Sequence, residues 1–285
     1  MFQSFRRSWE LVKASFAVLR ADKELIWFPV FSGIALVMVS IAFLVPMALL
    51  DVFSSIFGSG QGGEVAGFII LFIYYVVAYF VMIFSNTAVV GAALKRLRGG
   101  DPSFQDGLNT ATGNTGKIFG YSVIAATVGM ILQALRSDDN IAANVVSWIG
   151  GLAWNLATFL VVPVMVAEGV GPIAALRRSA GLLRQTWGQQ IIGNAGISLV
   201  FFFLFLAVVI PGGLLVMVAF SVTPVLGILF GVLVVLAVLG LMAVQTTLSG
   251  IYTAAVYNFA VAPAEVTSSN QFFDQSLLQS AFRHK

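Results

Sequence analysis

Residues 171–199 read GPIAALRRSAGLLRQTWGQQIIGNAGISL, and this stretch decides the architecture. It opens as a basic amphipathic segment and continues, with no turn signal, into an apolar run long enough to cross a bilayer. The same arrangement begins the chain at Ser4 (SFRRSWELVKASF) and returns in a more polar form at Ser103 (SFQDGLNTATGNT). Composition points the same way: 59% of residues are hydrophobic, 9% are charged, and the mean hydropathy is +0.97. Soluble domains carry roughly 45–50% apolar and 25% charged residues, so the chain reads as a multi-pass integral membrane protein. Its apolar runs are continuous, whereas the strands of an outer-membrane barrel alternate every second residue. Lipid makes each spanning backbone satisfy its own hydrogen bonds, which leaves an all-α helical bundle.

Outward from the opening stretch, the runs number six. The first, over residues 26–50, is too long for a signal-peptide core and lacks a small-residue cleavage site; Pro29 and Pro46 lie near its ends. A Gly/Ser-rich loop over 51–65 precedes the second run, 66–94. In GGDPSF, Asp101 suits a helix N-cap and Pro102 the first helical position. The third run covers 118–135 and the fourth 141–166. The fifth covers 191–220, an uncharged turn lies at 221–224, and the sixth covers 225–260. This last run exceeds the roughly 20 residues a bilayer needs, so it must tilt, break near Ser249 and Gly250, or project into the cytoplasm. Residues 262–285 form a polar tail with an amphipathic finish over 272–282, and the lone histidine, His284, belongs to it.

Orientation follows from the bases. Of 15 Lys and Arg residues, only Arg136 falls between spans three and four, and the others fall on the opposite side. The positive-inside rule then places both termini in the cytoplasm, which six spans allow. The expected location is a prokaryotic cytoplasmic (inner) membrane.

The amphipathic segments also suggest an internal repeat. At an offset of 171, Phe5-Arg6-Arg7-Ser8 falls on Leu176-Arg177-Arg178-Ser179; at 99, Ser4-Phe5 falls on Ser103-Phe104. Three units, 1–98, 101–166 and 171–261, within a single polytopic domain fit this pattern; any amphipathic lead-in to a span would look similar. In the first segment, Phe5, Trp9, Val12, Phe16 and Leu19 share one helical face and Arg6, Arg7, Glu10 and Lys13 another. Such a helix is expected to lie in the interface plane with its cations at headgroups. Arg6, Arg7, Lys13, Arg177, Arg178 and Arg184 are therefore the candidate lipid-headgroup contacts.

The search for chemistry returns little. Cysteine is absent, which removes disulfides and thiol catalysis. No metal-ligand cluster, phosphate-binding glycine loop or nucleophile elbow is present in the sequence, and no ionisable residue falls near the centre of a span. Catalytic, cofactor and metal sites are accordingly expected to be none, and nucleic acid is not an expected partner. The intramembrane polar residues Asn86, Asn155, Glu168, Asn194 and Gln245 allow two readings. Either the amides line a cavity open to the cytoplasm, or they join neighbouring helices. Glu168 at the membrane edge calls for a cation, and Arg177 or Arg178 is nearest in sequence. The spacings Gly116-x-x-x-Gly120 and Gly227-x-x-x-Gly231 permit close helix approach.

Several stretches carry a resemblance: residues 4–35, the GGDPSFQDGL start, residues 159–194, and the terminal AFRHK. Together they resemble a family of uncharacterised prokaryotic multi-pass membrane proteins classed as a domain of unknown function. The RRSxxLLxxTW pattern is also similar, more weakly, to membrane domains fused to glycerophosphodiester phosphodiesterases, without the catalytic barrel of those enzymes. The resemblance implies a membrane location and no known activity. The expected function is a non-enzymatic membrane-organising, scaffold or assembly role through anionic lipids or a partner, including a second copy or another membrane protein. The alternative is a transporter or lipid-handling permease with a cytoplasm-facing polar cavity.

Overall fold

A computed structural model describes the backbone of residues 2–49, 61–136, 141–185 and 190–261, and the side chains of 12–48, 65–136, 142–183 and 198–261. The first amphipathic segment forms α1 (Phe2–Ala21), and a short 3₁₀ segment (Lys23–Ile26) carries it into α2 (Trp27–Leu49). Next come α3 (Gln61–Leu97), the short α4 (Phe104–Gly113) and α5 (Thr115–Arg136). The fourth span is two helices, α6 (Ile141–Thr158) and α7 (Val161–Glu168). The second basic segment is α8 (Pro172–Gln185), followed by α9 (Gln190–Val222) and α10 (Pro224–Val261). Among the described residues six helical segments are long and apolar enough to cross a membrane, and the protein is an all-α multi-span membrane protein.

Three local expectations change. The loop after the first span ends earlier than residue 65, because α3 begins at Gln61. Ser103, not Asp101, caps α4: its Oγ accepts from Asp106 N, and the Asp106 carboxylate accepts from Ser103 N at 2.8 Å. This capping box satisfies two first-turn amides at once and leaves Asp101 to another partner. The fourth span, expected to be one helix, breaks at Phe159 and Leu160. Pro163 has no N–H to give and its ring crowds the carbonyl four residues back, so the chain restarts with Pro163 in the first turn of α7. The amide of Leu160 donates to Ser179 Oγ at 3.1 Å, which closes the gap. By contrast α10 runs through Ser249 and Gly250 without interruption. Its 38 residues make a rod of about 57 Å at 1.5 Å per residue, well beyond a hydrocarbon layer of roughly 30 Å.

The helices alternate in direction, so the ends of α3, α7 and α10 and the starts of α2, α5 and α9 gather at one end with α1, α4 and α8. We call this the basic end. There the core sits. The last turns of α3, α7 and α10 pack on one another; Ala88 to Ala93, Leu160 to Met165 and Ile251 to Tyr257 contribute most of it. At Gly250 of α10, a Cβ would lie 2.7 Å from Val89 Cγ1 and 3.2 Å from Asn86 Oδ1, so the helices meet at near-backbone distance.

The amphipathic helices lie over this core rather than on lipid alone. α1 packs on α9 and α10, α4 on α3, and α8 on α6 and α7. Val12 and Leu19 of the α1 apolar face are buried, as is Val18 next to it, and Phe16 remains 37% exposed. The third hairpin thus covers Val12 and Leu19 of that face, while the side chains of Phe5 and Trp9 lie outside the described residues. Away from the core, α9 and α10 continue as an arm. From Leu206 to Met242 its buried residues are Gly212, Ala219 and Gly227, and a Cβ on Gly212 would meet Val234 of the facing helix at 2.7 Å.

Candidate functional site at the basic end

Two glycines shape the corners of this end. Gly99 (φ 83°) follows α3 and Gly169 (φ 68°) follows α7. Left-handed backbone at the residue after a helix ends it and turns the chain away, and here it sends each chain directly into α4 or α8.

Around the first corner the charges are matched. The Arg96 guanidinium, in the last turn of α3, makes a two-pronged contact with Asp22, from Nε to Oδ2 and from Nη2 to Oδ1, and also reaches Asp101 Oδ1. The Asp22 side chain is 5% exposed. A buried carboxylate needs such a partner, and the planar fork of arginine suits it. Glu24 Oε2 accepts from Phe104 N at 2.8 Å, so a carboxylate from before α2 sits at the positive N-terminus of α4. Lys95 Nζ reaches Asp106 Oδ2 at 2.9 Å. With Lys95 and both Ser103 donors on it, the Asp106 carboxyl is held well below the usual carboxylate range.

At the second corner Glu168 Oε1 accepts from Arg178 Nε at 3.0 Å and from the Tyr257 hydroxyl at 3.2 Å. The pairing ties α7, α8 and α10 together, and Arg178 rather than Arg177 supplies the cation. Arg177, Arg98 and Lys23 are exposed and have no carboxylate partner among the described residues. Arg20 lies 4.9 Å over the Phe16 ring. The start of α2 also carries an aromatic group: Phe28 stacks on Phe104 at 4.4 Å, and Trp27 stacks on Phe31 at 5.8 Å. Trp27 and Phe31 are both exposed, as aromatic side chains at a membrane–water boundary often are.

The remaining sequence-predicted residues do not converge. The side chains of Arg6, Arg7, Arg184 and Asn194 lie outside the described residues. Lys13 is exposed and has an interaction partner. Asn86 is half-buried against Gly250 between α3 and α10, Gln245 is half-buried on α10, and Asn155 is exposed on α6. Among the described residues no hydrogen bond joins these three amides, and no group of three His, Asp or Glu side chains is placed to hold a metal. Asp22, Glu24, Arg96 and Tyr257, which organise the end, were not singled out from sequence. The one hint for Asp22 and Glu24 was that acids stand so close to the start of an apolar run.

The fold and this end define a six-span helical membrane protein whose helices are clamped by charge at one end. The chain belongs to a family of unknown function (DUF6159), whose model matches residues 65–266. No curated protein and no solved structure matches the chain.

Proposed function

We propose that the protein is a non-enzymatic membrane organiser whose basic end engages anionic lipid headgroups. The observation that supports this is the division of its cations. Arg96, Lys95 and Arg178 are consumed by internal carboxylates, whereas Lys23, Arg98 and Arg177 are exposed and have no carboxylate partner among the described residues. Each outward cation near an anionic surface contributes about 1 kcal/mol. The outward cations Lys23 and Arg98 at the first corner and Arg177 on α8 then do the binding. In this reading the basic end faces the cytoplasm of a prokaryotic cell, as the distribution of bases favours, and the likeness to membrane domains of glycerophosphodiester phosphodiesterases reflects shared architecture. The test replaces Lys23, Arg98 and Arg177 by Gln and compares thermal stabilisation by phosphatidylglycerol with that by phosphatidylcholine. The wild type should favour the anionic lipid and the triple variant should not; an unchanged preference would remove the lipid role. A cysteine-free chain also permits single-cysteine labelling: an impermeant maleimide should reach Arg136→Cys from outside intact cells and Arg98→Cys only after lysis.

One observation favours the permease reading. Asn155 is exposed within a span, where an amide costs free energy unless it meets a polar partner or water. If it lines a path, Asn155→Leu should lower flux in reconstituted vesicles while leaving the fold intact.

A further inference from the structure

A helix that directly follows a hairpin folds back on that hairpin: α4 lies on α3, and α8 lies on α6 and α7. α1 lies instead on the third hairpin, α9 and α10. The two followers use the same stripe at i, i+3, i+4 and i+7. On α4 these are Phe104, Gly107, Leu108 and Ala111; on α8 they are Leu176, Ser179, Ala180 and Leu183. In both, the second and fourth residues are buried and the first and third half-buried. The second is small because it touches the hairpin backbone. A Cβ on Gly107 would lie 2.9 Å from the Ala88 carbonyl oxygen, and Ser179 Oγ accepts from Leu160 N at 3.1 Å. The equivalent stripe in α1 is Phe5, Ser8, Trp9 and Val12, of which Val12 is buried.

The third hairpin also has a follower in sequence, residues 262–285, which lie outside the described residues. They carry the stripe again, as Phe273, Ser276, Leu277 and Ser280. Eleven residues separate Val261 from Phe273, against six between Leu97 and Phe104, so the reach is ample. We propose that residues 273–280 are a second occupant of the seat on α9 and α10, and that the two ends of the chain compete for it. The exchange would alter the surface as well as the packing. Between its first two stripe residues α1 carries Arg6 and Arg7, and the tail carries Asp274 and Gln275. Seating the tail would free a doubly basic segment and put an acid in its place.

The absence of cysteine makes disulfide trapping in the full chain a direct test. Thr253 stands eight residues before the end of α10, as Leu160 stands eight before the end of α7 and Ala88 nine before the end of α3. Ser8→Cys with Thr253→Cys should crosslink in reconstituted protein. Adding Val12→Asp and Val18→Asp to unseat α1 should raise the Ser276→Cys/Thr253→Cys crosslink about tenfold, the ratio that 1.4 kcal/mol of seat preference gives. Leu277→Asp should return it to background. Should the α1 variant fail to fold, a synthetic peptide of residues 270–285 takes its place. It should suppress the Ser8→Cys/Thr253→Cys crosslink, and the same peptide carrying Leu277→Asp should not. A tail crosslink that stays at background in a folded α1 variant, or a peptide with no effect, overturns the proposal; so does the lack of any crosslink from Ser8→Cys.

Discussion

The basic end and the far arm of α9 and α10 are built from the same kind of long apolar helix, yet they are held differently. At the basic end three helices from different hairpins approach closely over Gly250, Ala88 and Leu160, and an ion pair 74 residues apart in sequence and a carboxylate-to-amide hydrogen bond 80 residues apart close the first corner. In the arm, among the described residues, few side chains are buried, and ones such as Leu236 and Met217 are 58% and 71% exposed. Lipid solvates those side chains as well as a protein core would, so packing them brings little gain. The difference teaches where specificity resides: in buried polar pairs and close contacts, not in hydrophobicity.

The sharpest way to break the contrast is to remove Arg96. Arg96→Met leaves the Asp22 carboxylate, 5% exposed, without its two-pronged partner. Losing one member of a buried pair typically costs about 3–5 kcal/mol because an uncompensated charge stays behind. Unfolding in a graded denaturing detergent should show a loss of that order. Arg96→Met with Asp22→Leu should recover much of it, since an apolar pair can replace a buried ionic one. A single variant as stable as the wild type would mean that Asp22 takes up water and the corner is not a clamp.

The spans and the amphipathic helices were legible in the sequence because hydropathy and periodicity are local. The Glu168 latch was legible too, since its cation lies ten residues away. The Arg96 clamp was not, because nothing near Asp22 or Glu24 names a partner on another hairpin. The break at Leu160 was not legible: Pro163 stands three residues beyond it, but Pro46 and Pro211 lie inside uninterrupted helices, so a proline in a run does not by itself mark a break. What decides is whether a side chain elsewhere, here Ser179, takes the freed amide. The amides Asn86, Asn155 and Gln245 looked like a set in one dimension only; their helices turn them to different neighbours.

A smaller and more symmetrical comparison uses one substitution at two glycines of α10. At Gly250 a Cβ would strike Val89 Cγ1 at 2.7 Å, and Val89 is fully buried. Gly250→Ala should therefore cost about 1–3 kcal/mol through overpacking. At Gly231, in the arm, no atom lies within 4 Å. Gly231→Ala should be neutral or stabilise by up to about 1 kcal/mol, the helix propensity gained. Thermal midpoints in one detergent would compare them directly, and equal shifts would show that the arm is packed against something as tightly as the core.

The least effect, and the finest probe of the charged corners, belongs to Asp106. It is exposed, so its worth lies in organising the start of α4 rather than in bulk stability. Lys95 and the Ser103 donors hold its carboxyl well below the usual range. A carboxyl whose pKa is depressed by folding contributes its full share above the unfolded value of about 3.9, and loses it as pH falls through the lower folded value. Asp106→Asn keeps an acceptor for the cap but loses the ion pair. Hydrogen-exchange protection of the α4 amides should thus differ between wild type and variant by a constant factor from about pH 7 to pH 5, and the two should converge only below about pH 4. Convergence already near pH 6 would mean the carboxyl is not held low. The corner would then rest on Arg96 and Glu24 alone, and the matching of charge at the basic end would be coarser than the distances imply.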